Sequence, residues 1–150
     1  MKITLTELHV GACSTVATMA IDGKELASEF LQGLIKSQRN DAKKFHTTFA
    51  TICSVENYSN KEKFRTLGNG IYEIKINGKR LYCFKDTSGD FETASGSSNH
   101  LILASNGGTK NTKREQQRDI KKTQDLKTQY FDAKKDNASE FEYNLLENEN

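Results

Sequence analysis

Apolar and polar positions change period several times along the chain, and the changes mark the elements. Lys2–Val10 (KITLTELHV) alternates and reads as a strand. Gly11–Ile21 is mildly apolar and rich in small residues, a pattern open to a loop or a short helix. Asp22 followed by Glu25 makes a start like a capping box, and Leu26, Phe30, Leu34 and Ile35 then recur at helical spacing. Asn40 caps a second predicted helix, with Phe45, Phe49, Ile52 and Cys53 as its apolar stripe. The short polar turn between the two predicts an antiparallel helical hairpin.

Gly70–Asp86 (GIYEIKINGKRLYCFKD) carries the strongest local signal. Two β-prone runs flank Asn77-Gly78, the residue pair favoured in a two-residue type I′ turn. That turn sets Ile76 opposite Lys79, Ile74 opposite Leu81 and Tyr72 opposite Cys83, which makes one mostly apolar face. On the other face Lys75 meets Arg80, and Glu73 meets Tyr82. Antiparallel sheets commonly keep one wet face, so a solvated surface is one reading of this patch. The other is a surface shaped for phosphate or an RNA backbone.

Beyond the hairpin, Thr87–Asn99 is glycine- and serine-rich and reads as a flexible loop. Leu101–Ala104 is a short apolar strand that Asn106-Gly107-Gly108 is expected to break. Lys113–Lys135 has helix-favouring composition, but Ile120, Leu126, Tyr130 and Phe131 are its only large apolar positions. These elements predict an α+β fold: two N-terminal helices packed on one face of a small antiparallel sheet, with a C-terminal helix and the second sheet face open. One domain covers residues 1–136, and residues 137–150 form an acidic, flexible tail.

Charge sharpens this picture. Net charge is only +2, yet Gly108–Thr128 holds seven basic residues against three acidic ones, and Asp136–Asn150 holds five acids and no base. Such asymmetry suits a nucleic-acid-facing segment followed by an acidic tail, or a solvated mixed-charge helix with a frayed end. An apolar fraction of 35% is low for one compact domain, and proline is absent. No stretch approaches membrane-spanning length, and Val10–Ile21 lacks the basic start of a signal peptide. Cys13, Cys53 and Cys83 are odd in number and widely spaced, which argues against a disulfide framework or metal site and for a reducing cytoplasm. His9 and His46 share no cluster with other candidate ligands. His100, at the entrance of the third predicted strand, is either a loop histidine or a proton-transfer group beside the open face.

Taken in order, Arg65-Thr66-Leu67-Gly68-Asn69-Gly70-Ile71-Tyr72-Glu73-Ile74-Lys75, then Arg80-Leu81-Tyr82-Cys83-Phe84, then Leu101–Ala104 followed by Thr109–Arg114 and a charged helix resemble the RelE/ParE superfamily of bacterial toxins, in particular its HigB-type, phage-derived branch. Lys75 stands where that family has arginine, and the Phe-Lys-Lys run after its third strand is absent here. The resemblance implies a RelE-like fold and the toxin of a type II toxin–antitoxin system, a ribosome-dependent messenger-RNA endoribonuclease. The RNA's own 2′-hydroxyl attacks the adjacent phosphate, and no metal or other cofactor is needed. It assigns Arg80 and Lys75 to phosphate stabilisation and Tyr82 to base stacking or proton transfer. Arg65, Lys79, Lys110, Lys113 and Arg114 would hold the RNA backbone. The implied partners are a small helix-turn-helix antitoxin and messenger RNA on the ribosome, with no membrane. The competing expectations are a catalytically degenerate or ParE-like binding protein, and a mobile-element accessory domain that binds nucleic acid without chemistry.

Overall fold

A computed structural model describes residues 1–94, 100–109 and 112–146. The chain runs β1 (Lys2–Val10), β2 (Ser14–Ile21), α1 (Leu26–Ser37), α2 (Arg39–Ser54), β3 (Phe64–Gly68), β4 (Ile71–Ile76), β5 (Lys79–Asp86), β6 (His100–Thr109), α3 (Lys113–Lys135) and β7 (Glu140–Asn144). The strands form one seven-stranded sheet in the order β3-β4-β5-β6-β2-β1-β7. It is mixed: β2 pairs with β6, and β1 with β7, in parallel, while the other neighbours are antiparallel.

This architecture overturns the expected RelE-like fold, two N-terminal helices on a small antiparallel sheet with one open face. The helices lie between strands in sequence and pack on both sides of the sheet, and the described chain ends in a strand. Val16, Ile74, Ile76, Leu81, Cys83, Ile102 and Ala104 meet α1 and α2 on one side. Ile3, Leu5, Ala17, Met19, Ile71, Phe84, Leu101 and Leu103 face α3, through Tyr130 and Ala133, on the other. The segment read as loop or short helix is β2, a central strand buried along its whole length. Both its faces are covered, so it shows no alternation. Its small residues Ser14, Ala17, Thr18 and Ala20 fit under helices from either side.

The Asn77-Gly78 turn has the expected form, with φ of 48° and 80°, and the β4–β5 register follows the predicted pairs. Asn106-Gly107-Gly108 does not end its strand. β6 continues to Thr109, and a bulge at Ser105 leaves Tyr82 opposite Asn106 but Cys83 opposite Ala104. One extra residue exchanges the two faces of a strand. Past the bulge Asn106 and Gly108 therefore face α3, and Gly107 faces α1. A Cβ at Gly107 would overlap the Phe30 ring, and one at Gly108 the Asp119 carboxylate. These glycines serve close packing, and the expectation of a break came from reading them as turn residues.

The expected flexible tail also differs in the described part. Glu140–Asn144 is β7, laid parallel along β1. Buried Glu7 holds it, accepting from the Tyr143 hydroxyl at 2.6 Å and the Leu146 amide at 2.7 Å. Of the predicted loop, residues 95–99 lie outside the described part, as do residues 147–150 of the tail. No helix among the described residues is long and apolar enough to cross a membrane.

The C-terminal half of α3 is fastened at Asp86. This buried carboxylate accepts from Tyr130 Oη, Lys134 Nζ at 2.8 Å, and both the hydroxyl and the amide of Ser88. Burial by itself would raise its pKa, but these donors outweigh burial and hold it down to about 2, against an ordinary 3.8. A depressed carboxylate stabilises the fold above its ordinary value and stops doing so as pH falls through the folded one. Asp86→Asn is expected to cost about 3 kcal/mol at pH 7, because an amide N–H then meets two donors and Lys134 is left with only the exposed carboxylate of Asp90 as counter-charge. The difference in denaturant midpoint between variant and wild type should shrink between about pH 4 and pH 2.

Candidate nucleic-acid interface

The polar face of the β4–β5 hairpin lies beneath the first half of α3. Glu73 is fully buried, and Arg80 and Tyr82 are 5% and 1% exposed. Each oxygen of the Glu73 carboxylate takes one arginine: Arg65 Nε at 2.7 Å on Oε1 and Arg80 Nη1 at 3.1 Å on Oε2. Arg80 Nη1 also donates to Gln116 Oε1 of α3 at 2.7 Å. The buried Arg80 Nε has no hydrogen-bond partner among the described residues. Behind this row Asn106, brought inward by the bulge, accepts from Ser105 Oγ and Thr123 Oγ1, and donates to the Asp119 carbonyl at 3.2 Å.

Burial first, then the Asp119 and Glu73 charges, push the Tyr82 phenol up to about 12, so it is neutral at pH 7 and available as a proton donor. Burial also raises the Asp119 carboxyl, the reverse of what Arg118 does to it.

The structure brings together Arg65, Arg80 and Tyr82 of the residues expected to meet RNA, with Lys75 half-buried on the same sheet face and opposite Arg80. It places others elsewhere. Lys79 Nζ pairs with Asp41 of α2 at 2.7 Å, and the same carboxylate accepts from Asn77, so this lysine fastens the hairpin turn to the opposite layer. Lys113 and Arg114 are exposed on the first turn of α3, which Thr112 caps by accepting from the Glu115 amide. Lys110 lies outside the described residues. His100 lines a cleft of about 320 Å³ with Cys13, Tyr58 and Lys85, on the α2 side of the sheet and away from Arg80.

Sequence reasoning missed Gln116, Asp119 and Asn106. Gln116 and Asp119 lie in the mostly polar first half of α3, where little distinguishes the inner face. Arg114, Arg118, Lys121 and Lys122 form its exposed outer stripe, and of these only Lys121 has an ion-pair partner among the described residues, Asp125 at 3.6 Å.

Glu73→Gln should destabilise the protein by about 3 kcal/mol, because it leaves the buried Arg80 guanidinium without a counter-charge. Arg65→Ala should cost under about 1 kcal/mol, since that side chain is half in water. Urea midpoints of the two variants, measured side by side, test the contrast.

Comparison of the chain with protein-family models, with curated proteins and with solved structures finds no match.

Proposed function

We propose that this protein is a messenger-RNA-cleaving toxin of a type II toxin–antitoxin system, with its site on the α3-facing side of β4 and β5. The observation that carries the reading is the convergence of two arginines, a neutral tyrosine and a carboxylate of raised pKa, bordered by the basic outer stripe of α3. Such a set suits phosphodiester cleavage by RNA's own 2′-hydroxyl. The 2′-oxygen gives up its proton as it bonds to phosphorus, the bond from phosphorus to the 5′-oxygen breaks, and that oxygen leaves with a proton. The products are a 2′,3′-cyclic phosphate and a 5′-hydroxyl end. Arg80, with Arg65 and Lys75 beside it, balances charge gathering on the phosphate oxygens. Asp119 takes the 2′-proton and Tyr82 supplies the one to the leaving oxygen. Arg114, Arg118 and Lys122 hold flanking phosphates. A helix-turn-helix antitoxin as partner, and the ribosome as the place of cleavage, come from the sequence resemblance alone.

The burial of Arg80 and Tyr82 favours a second reading, a relative that binds RNA through the outer stripe of α3 without cutting it.

Induced expression in bacteria, with mapping of messenger 5′ ends, separates the two. Under the first reading wild type arrests growth and creates new 5′-hydroxyl ends, and Tyr82→Phe lowers cleavage about 10²- to 10⁴-fold while the fold is kept. Normal growth with intact messages, together with salt-dependent RNA binding, supports the second. In either case the Arg114→Ala/Arg118→Ala/Lys122→Ala variant should lower the salt slope of single-stranded RNA binding by about 2.

A further inference from the structure

Helix α3 rests on two different seats. Its fully buried residues are Thr123, Tyr130 and Ala133, all in the second two-thirds of the helix. Tyr130 and Ala133 enter the apolar core with Leu126 and Phe131 packed against it, and Lys134 is tied to Asp86. None of the residues from Lys113 to Lys122 is fully buried. This first half is held by polar contacts: Gln116 to Arg80, and Asn106 to the Asp119 carbonyl. Apolar burial adds up along an interface, whereas a hydrogen bond exchanged for one to water contributes little net. The helix is thus held firmly at one end and lightly at the other.

The contact at the light end has the form of a ligand contact. Gln116 Oε1 lies 2.7 Å from Arg80 Nη1, at the distance and with the acceptor chemistry of a phosphate oxygen. The neighbouring Arg80 Nε–H is buried without a partner among the described residues. Glu73 and Gln116 both meet Nη1, so the Nε edge of the guanidinium, which can hold an acceptor of its own, is left under-satisfied.

We propose that the start of α3, Lys113 to Arg118, is a lid on the Arg80 site, hinged ahead of Asp119, which Asn106 holds in place, and that the Gln116 amide oxygen stands in for the phosphate oxygen of the RNA that displaces it. The inference rests on the reading of Arg80 as a phosphate-binding group. The lid lifts while Leu126–Lys134 stays docked, and RNA binds the lifted form. A variant that weakens the latch raises apparent RNA affinity, because affinity scales with the fraction of molecules already open.

The test uses the full-length chain with Gln116→Ala and Gln116→Glu, followed by amide hydrogen exchange and by binding of a ten-nucleotide single-stranded RNA. Both substitutions keep good helix formers, and the second gives Arg80 a charged partner. In the absence of RNA, amides of residues 117–122 should exchange at least about tenfold faster than those of residues 127–134, faster still in Gln116→Ala and slower in Gln116→Glu. RNA should bind Gln116→Ala several-fold tighter than wild type, and Gln116→Glu more weakly. Equal protection along the helix, or RNA binding by Gln116→Ala no tighter than by wild type, overturns the lid. If no form binds RNA, the phosphate reading fails and the lid falls with it as an RNA gate, whereas RNA bound equally by all three forms removes the lid and leaves that reading standing.

Discussion

The seating of α3 on the sheet governs the rest of the structure, because it determines which groups meet water. Without that helix the strip formed by Glu73, Arg80 and Tyr82 would be the solvated face of an antiparallel sheet. With it, the same strip becomes a buried ion-pair network, and the molecule has helices on both sides of one sheet. Three constraints meet at that seat. Asp86 fixes the far end of the helix through Tyr130 and Lys134. The bulge at Ser105 turns Asn106 toward the helix backbone, and the missing side chain at Gly108 leaves room for Asp119. Each acts within a turn or two, and together they set the depth and rotation at which α3 lies.

The legible parts of the fold were those governed by local chemistry. Asn77-Gly78 can adopt left-handed backbone cheaply, so the turn, its register and the two faces of β4 and β5 followed from seventeen residues of sequence. The stripe of α2 was legible because that helix buries one face only, whereas in α1 the buried residues are Ala27, Leu31 and Leu34 and the expected Ile35 is exposed. β2 was not, since a central strand covered on both sides has no period to read. β7 was hidden by its acidic setting: Glu140 and Glu142 remain outside while Phe141 and Tyr143 pack inward, a two-residue alternation too short to outweigh the charge around it. Cover over the hairpin was the largest misreading. A helix whose first ten residues fully bury nothing apolar gives little sign that it packs there at all.

For the candidate site, sequence identified Lys75, Arg80 and Tyr82 as a group because a hairpin register places them together, and Arg65 came in through the resemblance. The same register set Lys79 opposite Ile76, where it is, but could not supply its ion-pair partner. Register fixes which strand residues are adjacent, but the partner of Lys79 is Asp41, thirty-eight positions away on α2. Gln116 presents the same problem from the other side, since a glutamine in a polar helix is unremarkable until the helix is laid on an arginine.

The choice of polar residues under one half of α3 is hard to explain by stability. A buried carboxylate between two arginines returns little more than its own desolvation, and apolar side chains of similar volume often serve a fold better. The same sheet face shows that alternative in use: Ile71, Phe84, Leu101 and Leu103 seat the far half of the helix. The polar strip therefore departs from a solution that the chain adopts a few residues away. The departure is accompanied by an extra residue in β6, a strand glycine that admits a carboxylate, and a guanidinium N–H left without a partner among the described residues. Conflicts of this kind between local rules and the demands of packing concentrate where a protein meets a ligand. Phosphate is the ligand whose charge and oxygen geometry would relieve this one, by giving the Arg80 Nε–H the acceptor that Glu73 and Gln116, both on Nη1, do not supply.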